Sequence, residues 1–166
     1  MNTQTNLQIA EQILDPWLQK PTHPEPFRLD VWISPDDFYQ AISTLCNARW
    51  GYLCAITGID RPAPVETDGG QPQENHIEVL YSFAEGEAVT TIHVLLPYHN
   101  LSLPTICELI PSASMYEREL MEMLGVDMVG TPDRDKLILP DEWPAGVYPL
   151  RKSFKGLNSI SMEDIE

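Results

Sequence analysis

The sequence predicts an α+β domain: a small, largely antiparallel sheet with helices packed on one face, followed by an extended, irregular C-terminal arm. Three observations predict it. Apolar residues fall at three- and four-residue steps in 3–19 and again in 38–45. They alternate at two-residue steps in 27–33, 76–83 and 89–96. From 126 to 154 neither period holds, and Pro132, Pro140, Pro144 and Pro149 punctuate the run.

Taken in order, Leu7, Ala10, Leu14, Trp17 and Leu18 give the first helix its apolar face, and Pro21 and Pro24 stop it. Phe27, Leu29, Val31 and Ile33 make a half-buried strand. Ser34-Pro35-Asp36-Asp37 reads as a helix start, with Ser34 as cap and Phe38, Ala41, Ile42 and Leu45 as the buried face. Residues 51–57 form a short apolar strand ending at Gly58. The Pro- and Gly-rich stretch 59–75 is a loop within one domain, since neither half alone has elements enough for a closed core. Residues 76–83 and 89–96 make a hairpin with 84–88 as its turn. Residues 105–110 are expected as a short helix ended by Pro111. Ser114 and Glu117 then have the spacing of a capping box for a helix that runs to Leu124 and stops at Gly125. The resulting division is an α+β domain in 1–124, a partner-docking arm of the same domain in 125–154, and a mobile tail in 155–166.

Composition narrows the function. The chain has 166 residues, enough to bury a core, and a net charge of −15. That charge disfavours nucleic acid and anionic lipid, which need clustered Lys and Arg, and it is compatible with a basic partner. No apolar run is long enough to span a bilayer, so direct membrane insertion is not expected, and no secretory signal is readable at the N-terminus. Cys46, Cys54 and Cys107 are odd in number and form no C-x-x-C, which argues for buried reduced thiols rather than disulfides or a cluster site.

Few residues offer chemistry. Glu117, Glu119 and Glu122 lie close on one helix and could in principle hold a divalent metal, but no histidine stands near them in sequence; a solvated or partner-facing helix start is the plainer reading. His93 alternates with core residues and is expected on the opposite face of its strand. Ser112 and Ser114 lack a nucleophile-elbow context, and Gly69-Gly70 lacks the flanks of a phosphate loop. Arg118, between two glutamates, is suited to bidentate ion pairing, and Arg151-Lys152 place two cations after the rigid Pro149. An irregular segment as long as 126–154 in a compact domain is usually functional or wrapped on a partner.

An ordered set of short motifs carries a resemblance. Glu117-Arg118-Glu119, Leu124-Gly125-Val126, Gly130-x-Pro132-Asp133, Leu137-Ile138-Leu139-Pro140, Trp143 and Pro149-Leu150-Arg151-Lys152 resemble the signature of the 30 kDa subunit of respiratory complex I, the NADH–quinone oxidoreductase. The likeness extends upstream through Tyr52-Leu53 and Thr57-Gly58-Ile59-Asp60 to Val79-Leu80-Tyr81, and covers roughly residues 50–154. Glu122, Leu124, Met128, Thr131 and Ser153 depart from the family's usual residues and keep open two relatives: the equivalent subunit of membrane-bound nickel–iron hydrogenases and formate hydrogenlyases, to which Thr131 in place of the usual His points, and the counterpart in the plastid and cyanobacterial form of the complex.

The resemblance implies a cofactor-free structural subunit of a peripheral arm. Its partners would be the hydrogenase-like large subunit that forms the quinone pocket and the neighbouring iron–sulfur subunits, which carry the clusters and quinone. It would sit on the cytoplasmic or organelle-interior face of an energy-transducing membrane, peripheral through those partners. Gly125, Gly130, Pro132, Asp133, Trp143, Pro149 and Leu150 would line the contact, Glu117, Arg118 and Glu119 would anchor its base, and Arg151 and Lys152 would pin its end. Without partners, the orphaned arm could make the chain dimerise.

Overall fold

Asn2 starts the first helix, its side-chain oxygen accepting a hydrogen bond from Gln4 N at 3.2 Å. This computed structural model describes residues 2–63 and 74–157. Helix α1 spans Thr3–Leu14 and is shorter than its apolar spacing predicts. Pro16 has no N–H to continue the ladder, so the chain tightens into a 3-10 turn at Asp15–Trp17, and Trp17 and Leu18 still pack on the core. A strand that the apolar pattern does not announce follows. β1 (Lys20–Thr22) pairs antiparallel with β2 (Arg28–Trp32) at the sheet edge, where the missing N–H of Pro21 is tolerated.

Ser34 closes a turn ahead of helix α2 (Phe38–Asn47) instead of capping the helix itself: its Oγ accepts from Asp37 N at 3.2 Å. At the other end of α2, Arg49 N bonds Cys46 O at 2.9 Å and Trp50 N bonds Leu45 O at 3.2 Å. This Schellman arrangement puts Arg49 in the left-handed region, with φ of 52°. A residue with a Cβ is strained there by about 1–2 kcal/mol.

Strands β3 (Tyr52–Arg61), β4 (His76–Glu85) and β5 (Ala88–Pro97) complete a five-stranded sheet of order β1-β2-β5-β4-β3. β2 and β5 run parallel and the other pairs antiparallel, so the sheet is mixed and the fold α+β. β3 continues past Gly58 into residues expected as loop. Gly58 is there for close packing: a Cβ would come within 2.2 Å of Leu124 Cδ1 and 2.7 Å of Leu120 Cδ2. Near the start of β3 the register shifts between Leu53 and Ala55, and Cys54 is exposed instead of buried. The loop residues 64–73, including Gly69 and Gly70, lie outside the described residues.

Alternation sorts the sheet into two faces. Leu29, Val31, Ile56, Val79, Tyr81, Ile92 and Val94 are buried and form the core with the helices, and Phe38 of α2 lies against Tyr81 with ring centroids 4.6 Å apart. The opposite face carries a polar set. His93 stacks on Trp32 at 4.4 Å and its Nδ1 lies 2.8 Å from Glu78 Oε1, while Arg61 reaches Glu78 Oε2, also at 2.8 Å. Burial raises the Glu78 carboxyl pKa, but the His93 and Arg61 hydrogen bonds outweigh it and hold the group below its ordinary value.

After β5 come β6 (Ser102–Pro104), helix α3 (Ala113–Leu124) and β7 (Asp127–Val129); β6 and β7 pair parallel in a second, two-stranded sheet. The helix expected at 105–110 does not form. Leu109 N and Ile110 N both bond Ile106 O in a turn, because Thr105, Ile106 and Cys107 give their polar groups to Glu117. Ser114 lies inside α3 and no capping box forms, since Glu117 points inward. Of the expected tail, 158–166 lie outside the described residues.

Candidate docking surface

The residues singled out in the sequence gather around α3 and the segment that follows it. Glu117 is fully buried. Its Oε2 accepts from Thr105 Oγ1 at 2.7 Å and from Cys107 Sγ at 3.3 Å, and its Oε1 accepts from Ile106 N at 2.8 Å. Burial pushes the Cys107 thiol pKa up, and the adjacent Glu117 adds to the rise. The three glutamates therefore go to three different places: Glu117 to the interior, Glu119 to solvent, and Glu122 to the arm. Among the described residues no group of three or more His, Cys, Asp or Glu could hold a metal ion.

The outer side of α3 clamps the arm along its backbone. Arg118 Nε donates to Asp135 O at 2.8 Å and its Nη2 to Lys136 O at 2.9 Å, while Nη1 pairs with Asp133 Oδ2 at 2.9 Å. One turn on, Glu122 accepts from Leu137 N at 2.6 Å and Ile138 N at 2.9 Å. Side chains on one helix face thus satisfy the backbone that an irregular segment would otherwise leave to water. Lys136 then folds the next stretch around its ammonium, donating to the carbonyls of Pro140, Asp141 and Trp143 at 2.7–3.0 Å. Trp143 closes a further loop by donating Nε1–H to Val147 O at 2.9 Å.

The arm returns to the domain at its end. Gly125, with φ of 71°, ends α3 where a Cβ would sit 2.4 Å from the Tyr148 ring. Leu150 N bonds Met123 O at 3.1 Å, and Arg151 Nε bonds Leu124 O at 2.8 Å. The Arg151 guanidinium lies 4.3 Å from the Tyr148 ring centroid and 5.1 Å from that of Tyr98. Lys152 contributes its backbone N–H, at 2.6 Å from Asp60 Oδ2, and Tyr98 OH donates to Asp60 Oδ1 at 2.5 Å. Gly130 takes φ of 82° after β7, Pro132 is exposed, Asp133 is the Arg118 partner, and Pro149 precedes the tether. Val129, Ile138 and Leu150 are each more than half exposed, so the clamped segment presents apolar side chains outward.

Sequence reasoning gave no role to Asp60, Tyr98, Lys136 or Tyr148. Asp60 stands in the Thr57–Asp60 motif, and an acid directly after apolar alternation was the one signal available. Tyr98 carries a testable consequence. Burial first, and then the hydrogen bond to Asp60, push its hydroxyl pKa from 10 up to about 12. A folded-state pKa raised above the unfolded value stabilises fully below about pH 10, and that contribution is lost as pH rises from 10 toward 12. The thermal midpoint should fall over that window, and Tyr98→Phe should flatten the fall. Equal slopes for both proteins would refute it.

Fold and site together define a class: an α+β domain whose C-terminal segment is clamped onto helix α3 with apolar side chains facing outward. Comparison with known proteins makes the class specific. Residues 31–159 match the family of the respiratory-chain NADH dehydrogenase 30 Kd subunit, and the chain belongs to that family. It is 42% identical over 83 residues to membrane-bound hydrogenase subunit beta of Pyrococcus furiosus, covering 50% of this chain and 47% of that one. It is 40% identical over 128 residues to formate hydrogenlyase subunit 5 of Escherichia coli, covering 75% of this chain and 21% of that one. The chain thus spans about half the length of the first relative and about a fifth of the second. A protein chain in the structure of the membrane-bound sulfane sulfur reductase, an archaeal respiratory membrane complex, shares the fold with a TM-score of 0.74 at 22% identity, over 93% of this chain and 88% of that one. No helix among the described residues is long and apolar enough to cross a membrane.

Proposed function

We propose that this chain is a non-catalytic assembly subunit in the peripheral arm of a complex-I-like NAD(P)H– or ferredoxin–quinone oxidoreductase. It docks beside the large subunit that forms the quinone site and supports electron transfer that runs through iron–sulfur clusters in neighbouring subunits. The observation that carries this reading is the arm: a segment fixed by Arg118, Glu122 and Asp60 holds Val129, Ile138 and Leu150 outward. An apolar surface held in place by so many internal bonds suits a permanent partner. Because Arg151 is engaged within the chain, its part is to set the shape of the arm, while the Lys152 side chain stays on the exposed side.

A second reading makes the chain the equivalent subunit of a membrane-bound hydrogenase or formate hydrogenlyase. The identities of 42% and 40% to subunits of such enzymes favour it. One experiment separates the two: affinity purification of the tagged chain from gently solubilised membranes, with co-purifying subunits identified by mass. A quinone-site large subunit supports the first reading, and a nickel–iron large subunit moves the chain to the second. Recovery without any membrane-associated partner overturns both.

A further inference from the structure

The corner between α2 and β3 holds a pocket of about 350 Å³, away from the arm, lined by Cys46, Arg49, Trp50, Tyr52, Leu53 and Ile110 among others. Trp50 forms a fixed wall: it is buried and its Nε1–H donates to Asn6 O at 3.0 Å. Tyr52, at the start of the edge strand β3, is 66% exposed. At the rim stands Arg49. Of the seven described positions with positive φ, six are glycine and the seventh is Arg49. A glycine would relieve that backbone, so the site keeps an arginine where the fold alone favours none.

Of the five other arginines, Arg61, Arg118, Arg134 and Arg151 are each bonded to a carboxylate or carbonyl of this chain, and Arg28 is half-buried with its Nε unpartnered. Arg49 is exposed and makes no such contact among the described residues. Its guanidinium sets one positive charge at the rim of a pocket on a chain of net charge −15, where the Glu85 carboxylate accepts from Gly51 N at 3.1 Å, and beside it lie an exposed phenol and an apolar wall.

We infer that the α2–β3 corner docks an acidic segment of a partner subunit, seating an apolar side chain between Trp50, Tyr52 and Ile110 and pairing a carboxylate with Arg49. The inference rests on the subunit reading above and adds a second contact to the one made by the arm. A bidentate guanidinium–carboxylate pair supplies orientation, and the pocket supplies the apolar contact.

The test uses the assembled complex. Tyr52 is replaced by p-benzoylphenylalanine in the tagged chain, the complex is irradiated before purification, and the adduct is mapped by mass. The expected adduct is a partner peptide with an Asp or Glu flanking an apolar residue. R49E should lower its yield at least about tenfold, and R49K, which keeps the charge but loses the fork, should lower it by less. R49G separates docking from folding: it should raise the thermal midpoint of the isolated chain by about 2–4 °C while still reducing the adduct. An adduct on a peptide without acidic residues, on a second copy or on the chain itself overturns the inference, as does one insensitive to R49E, or no adduct in an intact complex. If the unmodified chain recovers no complex at all, the subunit reading fails and the inference falls with it.

Discussion

Glu117→Ala should lower the stability of the chain by about 3–5 kcal/mol, a large share of the roughly 5–15 kcal/mol that holds a domain of this kind. The carboxylate is fully buried and receives the Thr105 hydroxyl, the Ile106 amide and the Cys107 thiol. Truncation strands those donors without water, at about 1–3 kcal/mol for each strong one, and leaves a small cavity besides. For a chain of this length the thermal midpoint should drop by about 6–20 °C. Glu117→Gln keeps one acceptor oxygen and should cost about half as much. The comparison is sharp because a surface glutamate at the start of a helix would move the midpoint little. A drop below about 2 °C for the alanine variant would show that the turn at 105–107 does not depend on Glu117.

Asp60→Ala should detach the end of the arm. Asp60 is almost fully buried and takes the Tyr98 hydroxyl on one oxygen and the Lys152 amide on the other. Losing both bonds should cost about 2–4 kcal/mol. The first loss should be local: Leu150 and Arg151 remain bonded to the carbonyls of Met123 and Leu124, so the segment frays from Lys152 inward. Trypsin should cut after Lys152 and Lys155 at least about tenfold faster than in the parent chain while the core stays folded. Asp60→Asn, which can still accept one of the two bonds, should fall between. Unchanged cleavage together with an unchanged thermal midpoint would refute the tether.

The regular parts of this fold were legible because each rests on a local pattern. The β4–β5 hairpin was read from apolar residues at two-residue steps in 76–83 and 89–96, α2 carries an apolar stripe, and α3 stops at a glycine. The failures have physical causes. β1, β6 and β7 are three residues each, too short for a period, and two of them contain proline. The spacing of Trp17 and Leu18 continued a helical stripe that Pro16 had already ended. Ser114 and Glu117 satisfied a capping pattern, but a buried set of donors outbid the helix end for the carboxylate. For the surface, α3 and the arm could be read as a unit from their dense motifs. Asp60 could not, because its bond to Lys152 joins residues 92 apart in the chain. Arg49 was passed over for another reason: a lone exposed arginine carries no pattern, and only its backbone conformation singles it out.

The parallel pairing of β2 with β5 has a consequence during synthesis. Arg28 is matched to Val89, which emerges from the ribosome 61 residues later (89 − 28), after α2, β3 and β4 have all been made. At about 5–20 residues per second the nascent chain waits about 3–12 s before Leu29 and Val31 find their neighbour. For that interval β2, with Leu29 and Val31 on its apolar face, stands beside only the short β1, the condition under which nascent chains recruit chaperones or pair with one another. Production in bacteria should therefore gain more from added chaperone than from any change to the arm, which is made after the sheet and α3 and has both to fold against.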